Sequence, residues 1–316
     1  MIEAIYRLPH AFLQKLEKLY PSYHQQILNT FLTKKETTFR INFLKINLVS
    51  LRKRLLEERI YFQELSFPPG AFISRSSLKD LQGTRLYQEG CIYVQNVSSM
   101  LPVCVLGPEK GDKILDLCAA PGAKTTQIVS LAPESEVVAF EKDHIRHCKL
   151  VSNLKIQGVD AKVKTFQLDG FWARKKFPEY FDKVLVDVPC SAEGLFDLHN
   201  PRSYKYWNER KVREVKHKQR FLLQSAFFTL KEQGTLVYST CTFSPEENEE
   251  VIDWFINKFK DKVEVVPVEI PLKGVFQGLT QWQGRPFSPS CKLTRRVIPN
   301  EFMEAFFVAK LRKISA

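Results

Sequence analysis

No stretch of this sequence approaches the ~20 consecutive apolar residues that a membrane-spanning helix needs. The opening Met1-Ile2-Glu3-Ala4 carries an acid and lacks a basic segment ahead of an apolar run, which argues against a secretory leader. The seven cysteines are odd in number, and none belongs to a Cys-x-x-Cys pair. A disulfide framework and a zinc site are therefore excluded, and no metal is expected. A reducing, cytoplasmic setting fits, because it leaves thiols free to react. Internal repeats and low-complexity tracts are absent. Acid is the scarcer charge: 35 Asp and Glu face 47 Lys and Arg, for a net charge of +12. Such an excess favours a polyanionic partner, since each cation set against a phosphate releases counterions.

What is present suits a packed globule. Of the 316 residues 44% are hydrophobic, and 24 are Phe. Residues 1 to about 92 read as mixed structure. Leu8-Pro9 opens an amphipathic helix with Phe12, Leu13, Leu16 and Leu19 at helical spacing. Thr37–Asn42 alternates and predicts a strand, and Leu48–Glu58 predicts a helix.

From Lys110 the rhythm becomes strand, loop, helix. Strands are predicted at Lys113–Leu117, Glu136–Phe140, Lys162–Gln167, Phe181–Val188, Thr235–Ser239 and Ala305–Leu311. Helices are predicted at Thr125–Leu131 and His144–Ile156, the latter capped by Asp143. Ser244-Pro245-Glu246-Glu247 predicts a helix start, with Ser244 as cap, Pro245 first in the helix and Glu247 returning a bond to the cap. Alternating strands and helices imply a doubly wound α/β domain with a parallel sheet.

The segment Asp116-Leu117-Cys118-Ala119-Ala120-Pro121-Gly122-Ala123-Lys124 follows one of these strands and opens a helix. Ligands bind at such strand ends in open α/β sheets. Lys124-Thr125 ends like a P-loop, but one glycine stands where that motif needs two. Three acids join it at successive strand ends: Glu141, 25 residues after Asp116, then Asp169 and Asp187. Each alone is equally a solvated strand end. Together they suit a nucleoside without a pyrophosphate, such as S-adenosylmethionine: Glu141 for the ribose hydroxyls and Asp169 for the adenine amine.

Two cysteines also stand at strand ends, Cys190 in Asp187-Val188-Pro189-Cys190-Ser191 and Cys241 in Ser239-Thr240-Cys241-Thr242. A lone cysteine is usually a small buried apolar residue, but adjacent parallel strands bring these two to one edge beside the loop. C5 of cytosine is a poor nucleophile. A thiolate adding to C6 makes C5 enamine-like and able to attack a methyl sulfonium. Asp187 is the acid positioned for ring N3 and the N4 amine. A free thiol has a pKa near 8.5, so the nucleophile needs activation, and its source is not visible in the sequence.

At these residues the chain resembles the Sun family of RNA (cytosine-5) methyltransferases, the RsmB/RsmF-like enzymes. The segments that carry the resemblance are DLCAAPGAKTTQI (116–128), AFEKD (139–143), VLVDVPCSAEGLF (184–196) and LVYSTCTFSPEENEEVI (236–252), with Gly90–Pro102 and Phe39-Arg40-Ile41-Asn42 near the N-terminus. The resemblance implies a Rossmann-like methyltransferase domain over 93–316, its sheet mostly parallel with an antiparallel last strand. It implies a smaller α+β RNA-binding domain over 1–92. It makes Cys241 the nucleophile and Cys190 the thiol that aids product release. It gives S-adenosylmethionine the residues Cys118, Ala119, Ala120, Pro121, Gly122, Ala123, Lys124, Glu141, Arg146, Asp169 and Asp187. A monomeric enzyme acting on ribosomal or transfer RNA to make 5-methylcytosine is expected. The departures are Ala123 and Ala192 in place of common glycines, Phe196-Asp197 in a region often more basic, and Glu304-Ala305-Phe306-Phe307 without a Gly before the paired Phe.

RNA is expected at Arg202–Arg220, where Tyr204, Tyr206 and Trp207 interleave with basic residues, and at Arg40 and Lys45. A paired target cytosine must flip out to reach Cys241. Two other readings compete: a DNA cytosine-5 methyltransferase, whose nucleophile follows Pro as Cys190 does, and a non-catalytic RNA-binding assembly factor on the same fold. The Thr240-Cys241 pair and the lack of a large target-recognition insertion speak against the first. The presence of Cys190, Cys241 and Asp187 speaks against the second.

Overall fold

The computed structural model describes residues 5–315, so the reading of Met1-Ile2-Glu3-Ala4 lies outside them. Pro9 precedes helix α1 (His10–Leu19), which turns Phe12 and Leu16 inward. Helix α2 (His24–Leu32) buries Ile27, Leu28 and Phe31. The alternating segment forms strand β1 (Thr37–Ile41). It joins β2 (Phe62–Glu64), β3 (Ala71–Ser74) and β4 (Ile92–Val94) in an antiparallel sheet of order β2-β3-β1-β4. Helix α3 (Leu48–Glu57) begins where the Asn47 side chain accepts the Ser50 N–H, and packs Leu51 and Leu55 against this sheet. The first two helices pack elsewhere. Their apolar faces meet Phe196, Trp207 and Phe243 of the larger half.

Helix α4 (Val97–Leu106) leads into that half. Strands β5 (Lys113–Asp116), β6 (Glu136–Phe140), β7 (Val163–Phe166), β8 (Phe181–Asp187) and β9 (Leu230–Thr240) lie parallel in the order β7-β6-β5-β8-β9. Successive strand residues face opposite sides, so Leu115 enters one core and Ile114 the other. On one side lie α4, α5 (Ala123–Leu131) and α6 (His144–Gln157). On the other lie α7 (Glu209–Thr229) and α8 (Glu249–Lys258). This is the expected doubly wound arrangement, with a buried sheet whose strands read as apolar runs.

The remaining strands are antiparallel. They are β10 (Val263–Val266), β11 (Val275–Gln277), the hairpin β12 (Gln281–Trp282) and β13 (Arg285–Pro286), β14 (Arg295–Val297) and β15 (Phe306–Lys313). The last of these runs beside β9, as the resemblance implies, and carries β10 at one end and β14 at the other, with β11 outermost. Apart from β15, strands this short carry no periodic signal of their own. Tertiary pairing creates them.

One helix start is wrong in the sequence reading. Helix α8 begins at Glu249, while Pro245–Asn248 form turns. The expected cap and its partner are both taken by distant groups. Ser244 Oγ donates to Glu193 Oε1 at 2.7 Å and accepts from Lys15 Nζ at 3.0 Å, while Glu247 Oε2 accepts from Ser191 N–H at 2.9 Å. At the head of α8, buried Arg296 pairs with buried Glu249 and donates to Phe243 O at 2.8 Å and Tyr20 Oη at 3.0 Å. Leaving one member of such a pair buried alone costs about 3–5 kcal/mol. It therefore ties α1, α8 and β14 to the segment after Cys241.

Candidate active site

The parallel strands all point their carboxyl ends at one edge, and the chemistry-bearing residues gather there. Asp116 ends β5 and accepts from Thr125 Oγ1 at 2.7 Å; burial pushes its carboxyl up to about 6. The following loop turns tightly, with Gly122 N–H donating to Ala119 O at 2.7 Å. Gly122 sits at φ +105, where a Cβ would also lie 3.0 Å from Leu150 Cδ1, so glycine is required. Ala123, one of the departures, is simply the first residue of α5.

Lys124 is buried and bridges two sides of the edge. Its Nζ lies 2.8 Å from Asp187 Oδ2 and donates to Ser99 Oγ at 2.7 Å. Ser239 Oγ donates to the other Asp187 oxygen at 2.7 Å. Asp187 is thus aimed by β9 and α5 together. Glu141, directly after β6, accepts the Asp143 N–H at 2.9 Å and faces Arg146 Nη1 at 3.5 Å. Arg146 also donates to Ala120 O at 2.7 Å, so it braces the loop as well as the acid. Asp169 accepts the Phe171 N–H at 3.0 Å and keeps its other oxygen 3.7 Å from Lys142 Nζ.

The loop divides the predicted set between two cavities. One, of about 560 Å³, is lined by Cys118, Glu141, Arg146, Asp169, Phe171 and Phe221. The other, of about 330 Å³, is lined by Tyr93, Ser99, Ala123, Lys124, Asp187 and Glu304. Cys118 borders both, while Ala119, Ala120 and Pro121 border the second. Asp187 therefore stands apart from the acids of the first cavity, across the loop. Sequence position alone groups it with them. Glu304, missed in the sequence, is pushed up to about 7 by burial despite Lys35 and Lys124 nearby.

The two cysteines meet. Cys190 Sγ and Cys241 Sγ are 3.3 Å apart, at the ends of the neighbouring parallel strands β8 and β9. Contact with the Cys241 sulfur, followed by burial, raises the Cys190 thiol well above its ordinary range. Gly194 N–H holds the Cys241 carbonyl at 2.9 Å, and a Cβ on Gly194 would reach within 2.9 Å of that oxygen. Two buried acids stand behind the cysteines; sequence reasoning passed over Glu193 and gave Glu247 only a helix-capping role. Their signal was present, since each lies within six residues of a key cysteine, but acids near a loop usually face solvent.

Ala192 adopts φ +57 in this loop, a left-handed conformation that side chains disfavour. Ala192→Gly is expected to stabilise the protein by about 1 kcal/mol. A denaturant midpoint that stays put or falls would overturn this.

A family profile described as 16S rRNA methyltransferase RsmB/F matches residues 103–312. The chain belongs to the RsmB/F methyltransferase family. It is 37% identical over 279 residues to a tRNA (cytosine(49)-C(5))-methyltransferase of Pyrococcus abyssi, covering 87% of this chain and 88% of that protein. It is 32% identical to ribosomal RNA small subunit methyltransferase F of Erwinia tasmaniensis, covering 98% of this chain but only 64% of that protein. The chain thus spans less than two-thirds of that rRNA-directed relative. A methyltransferase homologue from Pyrococcus horikoshii has a solved structure that superposes with a TM-score of 0.85 at 29% identity, over 98% of both chains. The Rossmann-like methyltransferase fold expected from the motifs is the family's fold.

Within this RsmB/F member, several residues expected to touch RNA are otherwise engaged. Trp207 is buried and donates to Glu193 Oε1 at 2.9 Å. Tyr204 is buried against Phe196. Tyr206 alone of the three aromatics is open, at 64% exposure. Arg40 is buried too, bonding Gln95 Oε1 at 2.8 Å and Thr126 Oγ1 at 2.7 Å. Lys45 donates to Ile156 O at 2.6 Å, near the C-terminal end of α6. Both N-terminal cations fasten the small sheet to the large half by satisfying its polar groups. Phe196 likewise belongs to the aromatic core around Phe12. Among the described residues no helix is long and apolar enough to cross a membrane.

Proposed function

We propose that this chain methylates C5 of a cytosine in RNA, with Cys241 as nucleophile, Cys190 assisting release and S-adenosylmethionine as the methyl donor. The observation that carries the reading is the 3.3 Å approach of the two sulfurs beside an Asp187 paired to Lys124 at 2.8 Å. The larger cavity fits a nucleoside. Glu141 and Asp169 offer carboxylate acceptors for hydroxyls and an amine, and Phe171, Phe221 and Leu222 offer an apolar wall for a base. S-adenosylmethionine, when bound, supplies an electrophilic methyl on sulfur.

The chain's own residues do the rest. The Cys241 thiolate adds to C6, forming an S–C6 bond and moving the ring's π electrons toward C5 and N3. Asp187 is assigned to the N3 and N4 edge, with the Lys124 ammonium balancing charge there. After C5 is methylated its proton leaves, the C5–C6 double bond re-forms and Cys241 departs as a thiolate. Cys190, in contact with that sulfur, assists this step. Residues 1–92 serve as an RNA-binding domain beside the catalytic domain of 93–316, with open Tyr206 and the exposed cations of α7 as further RNA contacts. A reducing, cytoplasmic setting fits this reaction, which needs Cys190 and Cys241 as free thiols.

The test is to incubate purified protein with transfer RNA, ribosomal RNA or DNA and methyl-labelled S-adenosylmethionine, then map products by bisulfite sequencing. A protected cytosine in one RNA class is expected. Label confined to DNA, or to no nucleic acid, would overturn the reading.

A further inference from the structure

Behind the cysteines a polar chain runs through the core from one buried carboxyl to another. Ser191 follows Cys190 and Thr242 follows Cys241, so the chain's two hydroxyls belong to the two sulfur-bearing loops. Glu247 Oε1 contacts Ser191 Oγ closely. Ser191 Oγ lies 2.8 Å from Thr242 Oγ1, and Thr242 Oγ1 lies 2.8 Å from Glu193 Oε2. Both carboxyls are at 0% exposure, so water supplies no substitute hydrogen.

Counting hydrogens decides the protonation state. The chain has three oxygen–oxygen contacts, and each needs one hydrogen. The two hydroxyls bring one apiece. If both carboxyls were ionised, one contact would set lone pair against lone pair. The third hydrogen must come from a carboxyl.

The surroundings say which. Glu193 accepts Trp207 Nε1–H at 2.9 Å, Ser244 Oγ–H at 2.7 Å and Phe243 N–H at 3.1 Å, with the Lys15 ammonium 3.8 Å away. That set of donors demands a carboxylate. Glu247 uses Oε2 to accept Ser191 N–H at 2.9 Å and Gln219 Nε2–H at 2.8 Å. Its Oε1 has Ser191 Oγ as its hydrogen-bond partner, which leaves room for a proton directed there.

We propose that Glu247 is a neutral, protonated acid in the working enzyme and the positioning residue that holds the two cysteine loops in register. Hydrogens then run one way, from Glu247 to Ser191, to Thr242, to the Glu193 carboxylate, and every contact is filled. Burial and the Glu193 charge push the Glu247 carboxyl up to about 7. The titratable groups around it do not oppose this. Cys190 and the Tyr238 hydroxyl, which donates to Glu247 O at 2.6 Å, are neutral. Lys15 sits toward Glu193 and Glu246, Arg296 is committed to Glu249, and Lys216 and Arg220 are committed to Glu250.

When Glu247 ionises, the Ser191 hydroxyl turns its hydrogen back to the carboxylate. The Ser191–Thr242 contact then has none, and the loops carrying Cys190 and Cys241 lose the bond that joins them. The inference rests on these cysteines being the reactive pair. Its test compares kcat against pH for wild type and Glu247→Gln, and follows the infrared carbonyl stretch of a protonated carboxyl in both. Glutamine fits the same partners: its oxygen accepts from Ser191 and Gln219, its amide donates to Ser191 Oγ, and it cannot ionise.

Wild-type kcat is expected to fall roughly tenfold per pH unit once Glu247 ionises, with KM little changed. Glu247→Gln is expected to match wild type near pH 6 (about that value or below) and to lack this decline. Glu247→Ala should lose kcat throughout. Glu304 and Asp116 give acid bands in both proteins, so the wild type minus Glu247→Gln difference spectrum should hold one further acid band, titrating at about 7. The raised folded value also makes Glu247 stabilise the fold fully below the ordinary carboxylate pKa and lose that contribution as pH rises through about 7. A decline that persists in Glu247→Gln, a difference spectrum with no acid band, or a Glu247→Gln protein that cannot fold would overturn the proposal. The band is read without RNA or methyl donor, so failure of the methylation reading is seen separately.

Discussion

Cys241→Ala is expected to abolish methyl transfer to RNA while leaving the fold in place. The Cys241 sulfur is the group assigned to attack C6, since the Cys190 thiol beside it is held protonated, and without that bond C5 has no enamine character. Loss of an activated nucleophile costs on the order of 10⁴-fold or more in turnover. The structural cost is small by comparison. Cys241 is only half-buried, and its loop is held by contacts that do not involve the sulfur: Gly194 N–H on its carbonyl and the Thr242 hydroxyl on Glu193. Incorporation of labelled methyl, alongside an unchanged unfolding midpoint, is the measurement. Residual turnover within about a factor of ten of wild type would remove Cys241 as nucleophile.

Cys190→Ala is expected to do the opposite to the intermediate and accumulate a covalent protein–RNA complex. In the free enzyme the Cys190 thiol is held protonated, and the largest cause is the Cys241 sulfur 3.3 Å away. Once Cys241 is bonded to C6 its sulfur carries no charge and is a weaker hydrogen-bond acceptor, so that cause weakens. Cys190 becomes easier to deprotonate at the stage where a base is needed. Alanine leaves attack and methylation possible but removes this help. A band that migrates as protein plus RNA under denaturing conditions should appear for Cys190→Ala and vanish in the double variant with Cys241→Ala. Normal turnover with no such band would take Cys190 out of the reaction.

Most of the framework was legible along the chain because its signals are local. Strand β6 spans Glu136–Phe140 as expected, and Asp143 caps α6 through the Arg146 N–H at 2.8 Å. Each depends on neighbours within a few residues. The motif residues were legible for a related reason, since strand ends in a parallel sheet share an edge, and position along the strand determines which residue reaches it.

The errors share a cause as well. Trp207, Tyr204 and Arg40 are of types that bind RNA, and Ser244-Pro245-Glu246-Glu247 is of a type that starts a helix. All have partners more than ten residues away. Trp207 has Glu193, Tyr204 has core aromatics, Arg40 has Gln95 and Thr126, and Ser244 has Glu193 and Lys15. A buried polar group must be paired, and sequence shows the group without showing the burial.

The sequence by itself determined the parallel strand order of chemistry: an acid or a cysteine at the end of each of five strands, and a candidate ligand loop after the first. Hydrophobic periodicity and turn residues are enough for that, because they act locally. Only the tertiary structure decided that the two sulfurs touch, that Asp187 belongs with Lys124 across the loop from Glu141, and that two buried carboxyls share one chain of hydroxyls behind the cysteines. Those facts depend on distances between residues about 50 or more apart in sequence, and on the exclusion of water from the space between them.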